Sequence, residues 1–569
     1  MRFSLPGEKK LKRAIDSFSL SQKVIFYFLL TLFIISTLGL IHKLNNEFLV
    51  KVPDKGGKLT EGVLGTPRFV NPLLSLSDAD RDVTVLVYSG LMRLGPDGQL
   101  ITDLAESYSI SPDGLIYNFK IKENAKFHDG RGVTADDIEY TVLKAQDATL
   151  KSPRRGNWEG ITVEKIDSRE INFILKQPYA PFLENTTLGI LPKHIWKDAS
   201  PDEFSFNQHN IEAIGSGPYR VKSIGRNSSG IPNQYNLRAF SEYALGEPFI
   251  TELNLKFYSN EENLVDAYKK GEVESINGIS PRAASLLEND GVKITRVTLP
   301  RIFGVFFNQN QAQVFSNKEV REALDVALDK KRLVDEALLG YGSTISGPIP
   351  LSNKASLGSR DDSSEIEEAK KILESNGWEF SSSTQVYEKK TRSASYTLSF
   401  SIATGDSPEL KTAAQIIKEQ WEALGAQVEI QIFEIGDLNQ NIIRPRKYDS
   451  LLFGEIIGRD LDLYPFWHSS QRNDPGLNIA LYANISADKS IEEARTSIES
   501  EVREEKLLEF LTEIENDKPA VFTFSPDFLY IVSEKVGSVN LSRLTIPSER
   551  FSNVWQWYIE TNKVWKIFN

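Results

Sequence analysis

The residues best suited to chemistry lie between positions 449 and 478, where a short apolar strand, Leu451–Phe453, leads into a loop. The loop carries carboxylates, aromatic rings and a histidine, namely Asp460, Asp462, Tyr464, Phe466, Trp467 and His468. In α/β proteins, ligand sites usually lie just beyond strand ends. The stretch is therefore a candidate catalytic site, metal site or binding pocket.

A metal site would require Asp460, Asp462 and His468 to converge. The chain has five histidines and no His-x-x-x-His pair, which disfavours this hypothesis. A hydrolase is also disfavoured, because no second acid or nucleophile can be paired with the two aspartates from the sequence. The alternative interpretation is structural: the aspartates cap a helix that begins near Tyr464, with Pro465 in its first turn.

Length and composition predict a large folded protein whose main partner is not nucleic acid. A chain of 569 residues exceeds what one hydrophobic core organises, so we expect two or three lobes. The net charge of −12 argues against nucleic acid binding. The absence of cysteine excludes disulfides, thiolate metal sites, cysteine nucleophiles and a lipid-modified N-terminal cysteine. We expect no cofactor.

An uncharged segment near the N-terminus, residues 24–41, predicts a transmembrane anchor. As a helix, its eighteen residues span about 27 Å, close to the hydrocarbon core of a bilayer. A cleaved signal peptide is the competing interpretation, but its apolar part is usually shorter and followed by small residues, whereas His42 and Lys43 follow here. Basic residues predominate before the span, so residues 1–23 are predicted to be cytoplasmic and the main part extracytoplasmic. Residues 42–58 are predicted to form a polar linker.

Alternating patterns predict two local units further along. Residues 108–121 read as a β-hairpin around Ser111-Pro112-Asp113-Gly114. Residues 396–432 read as strand, helix and strand, which implies a parallel βαβ unit with a right-handed crossover. The strand Leu451–Phe453 is predicted to follow in the same sheet, and residues 492–513 to form one acidic helix.

The motif Phe127-His128-Asp129-Gly130 precedes a predicted helix, with Thr134 as its N-cap. A catalytic His128-Asp129 pair is one interpretation. The other, which we favour, is a turn in which the histidine is packed or hydrogen-bonded, because no serine or metal ligand stands at useful spacing.

These motifs together resemble the oligopeptide- and dipeptide-binding family of extracytoplasmic solute-binding proteins of ABC importers, known as family 5. The strongest match is LAESYSISPDGLIYNFKIKENAKFHDGRGVTADDIEY, residues 104–140. Further matches follow in the family's order: Asn71-Pro72, Tyr88–Leu91, Gly215–Tyr219, Phe307-Asn308, Val320–Leu324, Asp329–Lys331, Gly347–Pro350 and 369–377. The similarity covers residues 57–525.

The resemblance implies an α/β fold of the type II periplasmic-binding-protein kind, with two lobes that close on a ligand and an extra family-specific domain. Lobe I would comprise residues 57–95, 214–303 and 525–569. The middle domain would be 96–213 and lobe III 304–524. The implied function is a receptor, not an enzyme, that captures peptides and delivers them to an ABC permease in the membrane.

The resemblance also implies site residues. The peptide main chain would pair with protein backbone between two walls. One wall would be formed by Leu74, Ser75, Leu76 and Ser77. The other would be formed by Phe453, Gly454, Glu455, Ile456 and Ile457, with Asp460, Trp467 and Asn478 beside it.

One position departs from the family pattern. Peptide-binding members carry an aspartate three positions before the first acid of the Asp-x-Asp-like stretch, where it meets the amino terminus of the peptide. Here Ile457 stands at that position, and Glu455 would substitute only if the loop is shifted. The ligand is thus a peptide held differently or another solute, such as a sugar or a metal chelate. A tethered hydrolase or an interaction scaffold is the alternative from another class.

Overall fold

The computed structural model describes residues 15–350, 362–392, 394–541 and 544–565. Part of the predicted cytoplasmic segment and the last four residues of the chain lie outside this description. The strands within it are β1 Leu49–Pro53, β2 Lys58–Leu64, β3 Met92–Leu94, β4 Leu100–Thr102, β5 Ala105–Ile110, β6 Ile116–Ile121, β7 Thr162–Lys165, β8 Glu170–Ile174, β9 Tyr219–Arg226, β10 Pro232–Ala239, β11 Glu252–Tyr258, β12 Ser275–Asn277, β13 Thr295–Thr298, β14 Arg301–Phe307, β15 Gly342–Thr344, β16 Glu379–Ser381, β17 Val386–Lys390, β18 Ser395–Thr397, β19 Ser399–Gly405, β20 Gln427–Phe433, β21 Ser450–Ile456, β22 Ala520–Ile531 and β23 Thr561–Trp565.

Helices cover the sheets and connect them. The α-helices of the described residues are Leu20–Phe48, Asp78–Val87, Ala135–Gln146, Arg155–Trp158, Phe182–Asn185, Lys193–Trp196, Pro201–Phe204, Glu261–Lys269, Pro281–Asn289, Lys318–Val326, Lys330–Ala337, Asp362–Ser375, Pro408–Leu424, Ile435–Asp437, Tyr464–Trp467, Ile485–Thr496 and Ser500–Asp517.

One large mixed sheet runs through the protein in the order β20-β19-β21-β14-β22-β12-β2-β11-β10-β9, with β13 and β15 also paired to β22. The first half of β22 pairs with β14, and its second half pairs with β12 and β13. β13 ends at Thr298 and β14 begins at Arg301, so the chain crosses beside β22 at the same place. Two adjacent crossings of this kind connect the two halves of the sheet, an arrangement that is typical of a hinge.

The two halves of the sheet have separate hydrophobic cores. On the β14–β21 side, the strands are covered by helices that include Pro408–Leu424, whose Trp421 is fully buried. On the β2–β11 side, the core continues without interruption into residues 96–213, where β5-β6-β8-β7 form an antiparallel sheet. The division into lobe I, middle domain and lobe III stays a prediction in its residue boundaries.

The local units predicted from alternation are present. β5 and β6 pair as an antiparallel hairpin, and β19, the helix Pro408–Leu424 and β20 form the parallel βαβ unit. β21 joins the same sheet, parallel to β19. The Thr134 side chain and Asp137 form the capping box at the start of the helix Ala135–Gln146.

Two predicted segments differ from the structure. The helix expected over residues 492–513 is two helices, broken at 497–499, because the chain turns there to pack the second helix antiparallel to the first. The predicted linker 42–58 is largely ordered: the apolar helix continues to Phe48, and β1 then pairs with β23 near the C-terminus. The pairing gives this polar segment backbone hydrogen-bond partners that its sequence does not reveal.

The helix Leu20–Phe48 contains the only segment of the described residues, Leu20–Ile41, that is long and apolar enough to cross a membrane. None of it is buried against the rest of the protein. By length and composition, this helix fits either a membrane anchor or a signal sequence.

Candidate functional site

A cavity of about 1130 Å³ lies between the two halves of the molecule. Its walls come from three regions: the helix Asp78–Val87 and the turn after it, residues 154–189, and the loop after β21. Residues 545–552 close one side. Polar and apolar side chains share the lining, as is usual for ligand sites.

The helix Asp78–Val87 is held at both ends. At its start, Ser77 Oγ accepts a hydrogen bond from the Asp80 backbone N–H at 3.1 Å, and Asp80 Oδ2 accepts one from the Ser77 N–H at 3.1 Å. At its end, the Gly217 N–H donates to the Val87 carbonyl at 2.8 Å. A Cβ at Gly215 would lie 2.1 Å from the same carbonyl oxygen, so the Gly-Ser-Gly-Pro-Tyr motif needs glycine for this close approach.

His128 stabilises the same contact between the end of the helix Asp78–Val87 and the glycine motif, and it is not part of a catalytic pair. Its Nδ1 accepts a hydrogen bond from the Gly215 N–H at 3.3 Å, and its Nε2 donates to the Gly217 carbonyl at 3.0 Å. This arrangement requires the neutral ring, and burial lowers the pKa of His128 to about 4. Asp129 bonds instead to His194, so the structure agrees with the packed, hydrogen-bonded interpretation.

The loop after β21 crosses the cleft. Asp462 Oδ1 accepts a hydrogen bond from the Tyr464 N–H at 3.3 Å at the start of the helix Tyr464–Trp467, as the capping interpretation predicts for this aspartate. Its other oxygen accepts a bond from Tyr179 Oη at 3.2 Å and lies 3.3 Å from Arg495 Nε. The guanidinium of Arg495 also stacks over the rings of Tyr179 and Tyr464.

A second contact joins the same loop to the C-terminal region. Arg459 Nη2 lies 2.9 Å from both Glu549 Oε2 and Thr545 Oγ1. The residues of this contact and of the Asp462–Tyr179 contact all line the cavity. Both contacts join segments that lie far apart in the chain and would separate if the hinge opened.

The wall beside this loop is acidic. Burial and the neighbouring charge of Asp460 together raise the pKa of Glu184 to about 8, against the opposing effect of Arg459. Burial also raises the pKa of Asp460. Glu184 Oε1 has no hydrogen-bond partner among the described residues. A cationic or hydrogen-donating group of a solute would be stabilised here.

The residues predicted for the first wall divide between the cavity and the fold. Ser75 lines the cavity, whereas Leu74 is buried and Leu76 is exposed. Ser77 caps the helix through the bonds described above. Of the four residues that the resemblance implies for this wall, only Ser75 lines the cavity.

On the opposing wall, Ile456 and Asp460 line the cavity. β21 pairs with β14 along its whole length, but its ladder with β19 ends at Leu452. Beyond Leu452, this side of β21 has no strand neighbour in the described part of the chain. Residues Phe453, Gly454 and Glu455 do not line the cavity, and the Ile457 N–H is bonded to the Pro300 carbonyl.

Three predicted site residues face the core instead of the cavity. The Trp467 ring is buried among Phe306, Phe522 and other apolar side chains. Asn478 is fully buried, and its amide donates to the carbonyls of Trp467, His468 and Tyr482. Glu455 is buried on the same side of β21, and burial raises its pKa well above the usual range. Glu455 does not line the cavity in this structure, so a role in place of the missing aspartate at Ile457 would need a shifted loop.

Among the described residues, no group of three or more His, Asp and Glu side chains is arranged to hold a metal ion. The His468 ring contacts Ser470 and Glu492, whereas Asp462 contacts Tyr179 and Arg495. The side chains that suggested a metal site therefore have different neighbours.

Several cavity residues were not predicted from the sequence: Arg81, Arg154, Tyr179, Glu184, Arg495 and Glu549. Arg154, Tyr179, Glu184 and Glu549 come from segments that contain no recognisable motif. For Arg81, the signal was the helical spacing of Arg81, Thr84, Val85 and Tyr88, which places all four on one face.

Comparisons with known proteins agree with this architecture. The family model described as bacterial extracellular solute-binding proteins, family 5 Middle, matches residues 99–475. The oligopeptide-binding protein AppA of Bacillus subtilis is 27% identical over 517 residues, which cover 89% of this chain and 92% of that protein. The nickel-binding periplasmic protein of Escherichia coli is also 27% identical, over 68% of this chain and 72% of its own length.

Solved structures give the same fold. The structure of AppA from Bacillus subtilis in complex with a nonapeptide aligns with a TM-score of 0.69 at 25% identity and covers 90% of this chain and 100% of that one. This alignment agrees with the fold class predicted for this chain.

Proposed function

This chain belongs to family 5 of the bacterial extracellular solute-binding proteins, and from this premise we propose that it captures a peptide in the cavity between its lobes for an ABC importer. The observation that carries the proposal is the cavity itself, which lies at the hinge and is bridged by the Asp462–Tyr179 and Arg459–Glu549 contacts. Its volume exceeds the usual 300–1,000 Å³ of a small-molecule pocket. A peptide of several residues fits this description.

The backbone supports the same ligand class. β21 continues past the end of its ladder with β19, which leaves the strand edge at residues 453–456 without a neighbour, and Ile456 of this edge lines the cavity. Main-chain pairing of this kind binds peptides with little dependence on sequence. AppA, the relative described above, is named as an oligopeptide-binding protein and has been solved with a nonapeptide.

A non-peptide solute is the second candidate. The position expected to hold an aspartate for the peptide amino terminus is Ile457, whose side chain is fully buried. The nickel-binding relative has a different solute in its name. A sugar or a metal chelate would use the polar lining of the cavity without the strand edge.

The test is native mass spectrometry of the full chain purified in detergent, followed by thermal unfolding with a peptide library. A bound peptide is expected to be recovered intact and to stabilise the protein by about 2.7 kcal/mol at a hundredfold excess over its Kd. A co-purified sugar or metal chelate would favour the second candidate. Hydrolysis of the bound peptide would contradict a receptor function.

We also propose that the helix Leu20–Ile41 remains as a membrane anchor and holds the receptor beside an ABC permease. Its exposed apolar surface supports this role, and β1 follows it after only seven residues. The mature protein is then expected to retain its N-terminal segment in the membrane fraction. N-terminal sequencing that starts after Ile41 would contradict the anchor.

A further inference from the structure

One face of the helix Asp78–Val87 presents polar groups to the cavity without satisfying them. Arg81, Thr84 and Tyr88 lie on this face and line the cavity. Arg81 Nε, Thr84 Oγ1 and Tyr88 Oη are buried and have no hydrogen-bond partner among the described residues. Buried polar atoms in native proteins are nearly always paired, so three orphans on one face of a cavity point to a missing partner.

Arg154 adds a second guanidinium to the same cavity from another part of the chain. Its Nε atom is buried and has no hydrogen-bond acceptor in the described part of the chain. No carboxylate of those residues lies within 4.0 Å of it. Arg81 has one acidic neighbour, Asp78, whose side chain is 50% exposed and lies 3.5 Å away.

The two arginines influence each other. Burial lowers the pKa of Arg154, and the positive charge of Arg81 lowers it further. A guanidinium nevertheless remains charged in proteins, so two like charges share a partly desolvated space. Arg301, whose Nε is also buried without an acceptor, adds a third positive charge close to Arg81. An anion between these groups would relieve the repulsion and accept hydrogen bonds from the guanidinium groups that line the cavity.

An explanation from the fold alone does not account for this arrangement. Surface arginines are solvated and need no protein partner, but these Nε atoms are shielded from water. The Nε atom of Arg155, the next residue, is also buried without a partner, so an unpaired Nε alone does not mark a subsite. Arg155 differs from Arg154 in two ways: its Nη2 pairs with Glu159 Oε1 at 3.2 Å, and it does not line the cavity.

We propose that Arg81 and Arg154, with the hydroxyls of Thr84 and Tyr88, form a subsite for an anionic group of the solute, a carboxylate or a phosphate. The subsite rests on the proposed function, because it assigns chemistry to the cavity that receives the solute. The cavity then has a basic side at these arginines and an acidic side at Glu184 and Asp460. A peptide would place its carboxylate at the arginines and its ammonium group towards the acids.

The experiment measures binding of three probes to the full chain in detergent by calorimetry. The probes are pentaalanine with a free carboxylate, pentaalanine amide, and the same amide with a central phosphoserine. The free acid is expected to bind at least tenfold more tightly than the amide, about 1.4 kcal/mol. In Arg154→Gln, this ratio is expected to fall to about one. Recovery of tight binding by the phosphoserine amide would extend the subsite to phosphate, and a failure to recover would limit it to carboxylates.

Arg155→Gln is the matched control, because it removes the same charge from the adjacent position outside the cavity. It is expected to keep the wild-type ratio. Equal affinity of wild-type protein for the acid and the amide would overturn the subsite, as would equal losses in the two variants. Unfolding temperatures of the ligand-free variants test whether any loss is only a folding defect.

If none of the three peptide probes binds, the proposal of a peptide ligand fails. The subsite is then tested by the chemistry of the solute that co-purifies with the protein. A co-purified non-peptide acid that is lost from Arg154→Gln and retained by Arg155→Gln would support the anionic subsite. A co-purified solute without an acidic group would overturn it. A preparation that contains no solute and responds to no probe would contradict both proposals.

Discussion

Arg81 and Asp82 are adjacent in sequence on one helix, but their charges have opposite surroundings. Asp82 is fully buried and binds Arg550 through two contacts, at 2.7 and 2.5 Å. Arg550 also binds Glu61, which accepts a further hydrogen bond from Tyr530 at 2.8 Å. Arg81 faces the cavity with an unpaired Nε.

The comparison separates charges that hold the fold from charges that are available to a solute. Burial raises the pKa of Asp82 to about 6 against the opposing effect of Arg550. Burial alone would lower the pKa of Arg550, but Asp82 and Glu61 together raise it. In the buried cluster every charge has a partner of opposite sign. Arg93, Arg459 and Arg495 line the cavity and also have acidic partners, whereas Arg81 and Arg154 have no buried one. Arg81 and Arg154, which lack a buried acidic partner, are therefore the cavity charges that a solute could pair with.

The largest expected effect comes from removing Arg550. Arg550→Met leaves Glu61 and Asp82 buried without their cation and is expected to lower the free energy of unfolding by about 3–5 kcal/mol. Urea unfolding of the full chain in detergent, followed by tryptophan fluorescence, measures the change.

The matched control is Arg154→Met, which removes the same charge without removing a partner. A change of less than about 1 kcal/mol is expected for it in the same assay. Similar losses of unfolding free energy in both variants would contradict the view that Arg550 stabilises the fold and Arg154 does not.

A smaller effect is expected from acid at His128. Its folded pKa of about 4 lies below the value of about 6.5 for an unfolded histidine, so the fold favours the neutral ring. The stabilisation is fully present above pH 6.5 and is lost as the pH falls from 6.5 towards 4, by about 2–3 kcal/mol at most. Unfolding free energies at pH 7, 5.5 and 4.5 test this. His128→Asn is expected to remove this part of the pH dependence, and His209→Asn to retain it.

The smallest effect concerns closure. Tyr179→Phe removes the hydrogen bond to Asp462 across the cleft, worth about 1 kcal/mol, and is expected to speed solute release about fivefold. Stopped-flow dissociation of a bound peptide measures the rate. Tyr140→Phe loses a hydrogen bond to the Trp196 carbonyl within one lobe and is expected to leave release unchanged. An unchanged rate in Tyr179→Phe would show that this contact does not hold the cleft closed.

Much of the fold could be predicted because it depends on local patterns. The β5–β6 hairpin follows from alternation around a turn, and the βαβ unit from strand, helix and strand within forty residues. The capping box at Thr134 and the glycines before Tyr219 are also local signals. The helix break at residues 497–499 was missed because both halves are acidic and helical, and only packing separates them.

The candidate site was predicted less completely. Ser75, Ile456 and Asp460 lie at the cavity, but Trp467 and Asn478 belong to the core. A buried aromatic ring and a ligand-contacting ring have the same sequence signature, and the direction of the side chain decides between them. Arg154 and Glu184 were missed because nothing in their own segments marks them.

The family, the fold class and the apolar N-terminal helix could all be predicted before folding was considered, since they depend on motif order, alternation and length. The tertiary structure decided which charges are paired. Asp82 and Arg550 are 468 positions apart, and Arg81 and Arg154 come from separate elements. Whether a charged group is satisfied depends on groups brought near by folding, and sequence neighbours such as Arg81 and Asp82 carry no sign of it.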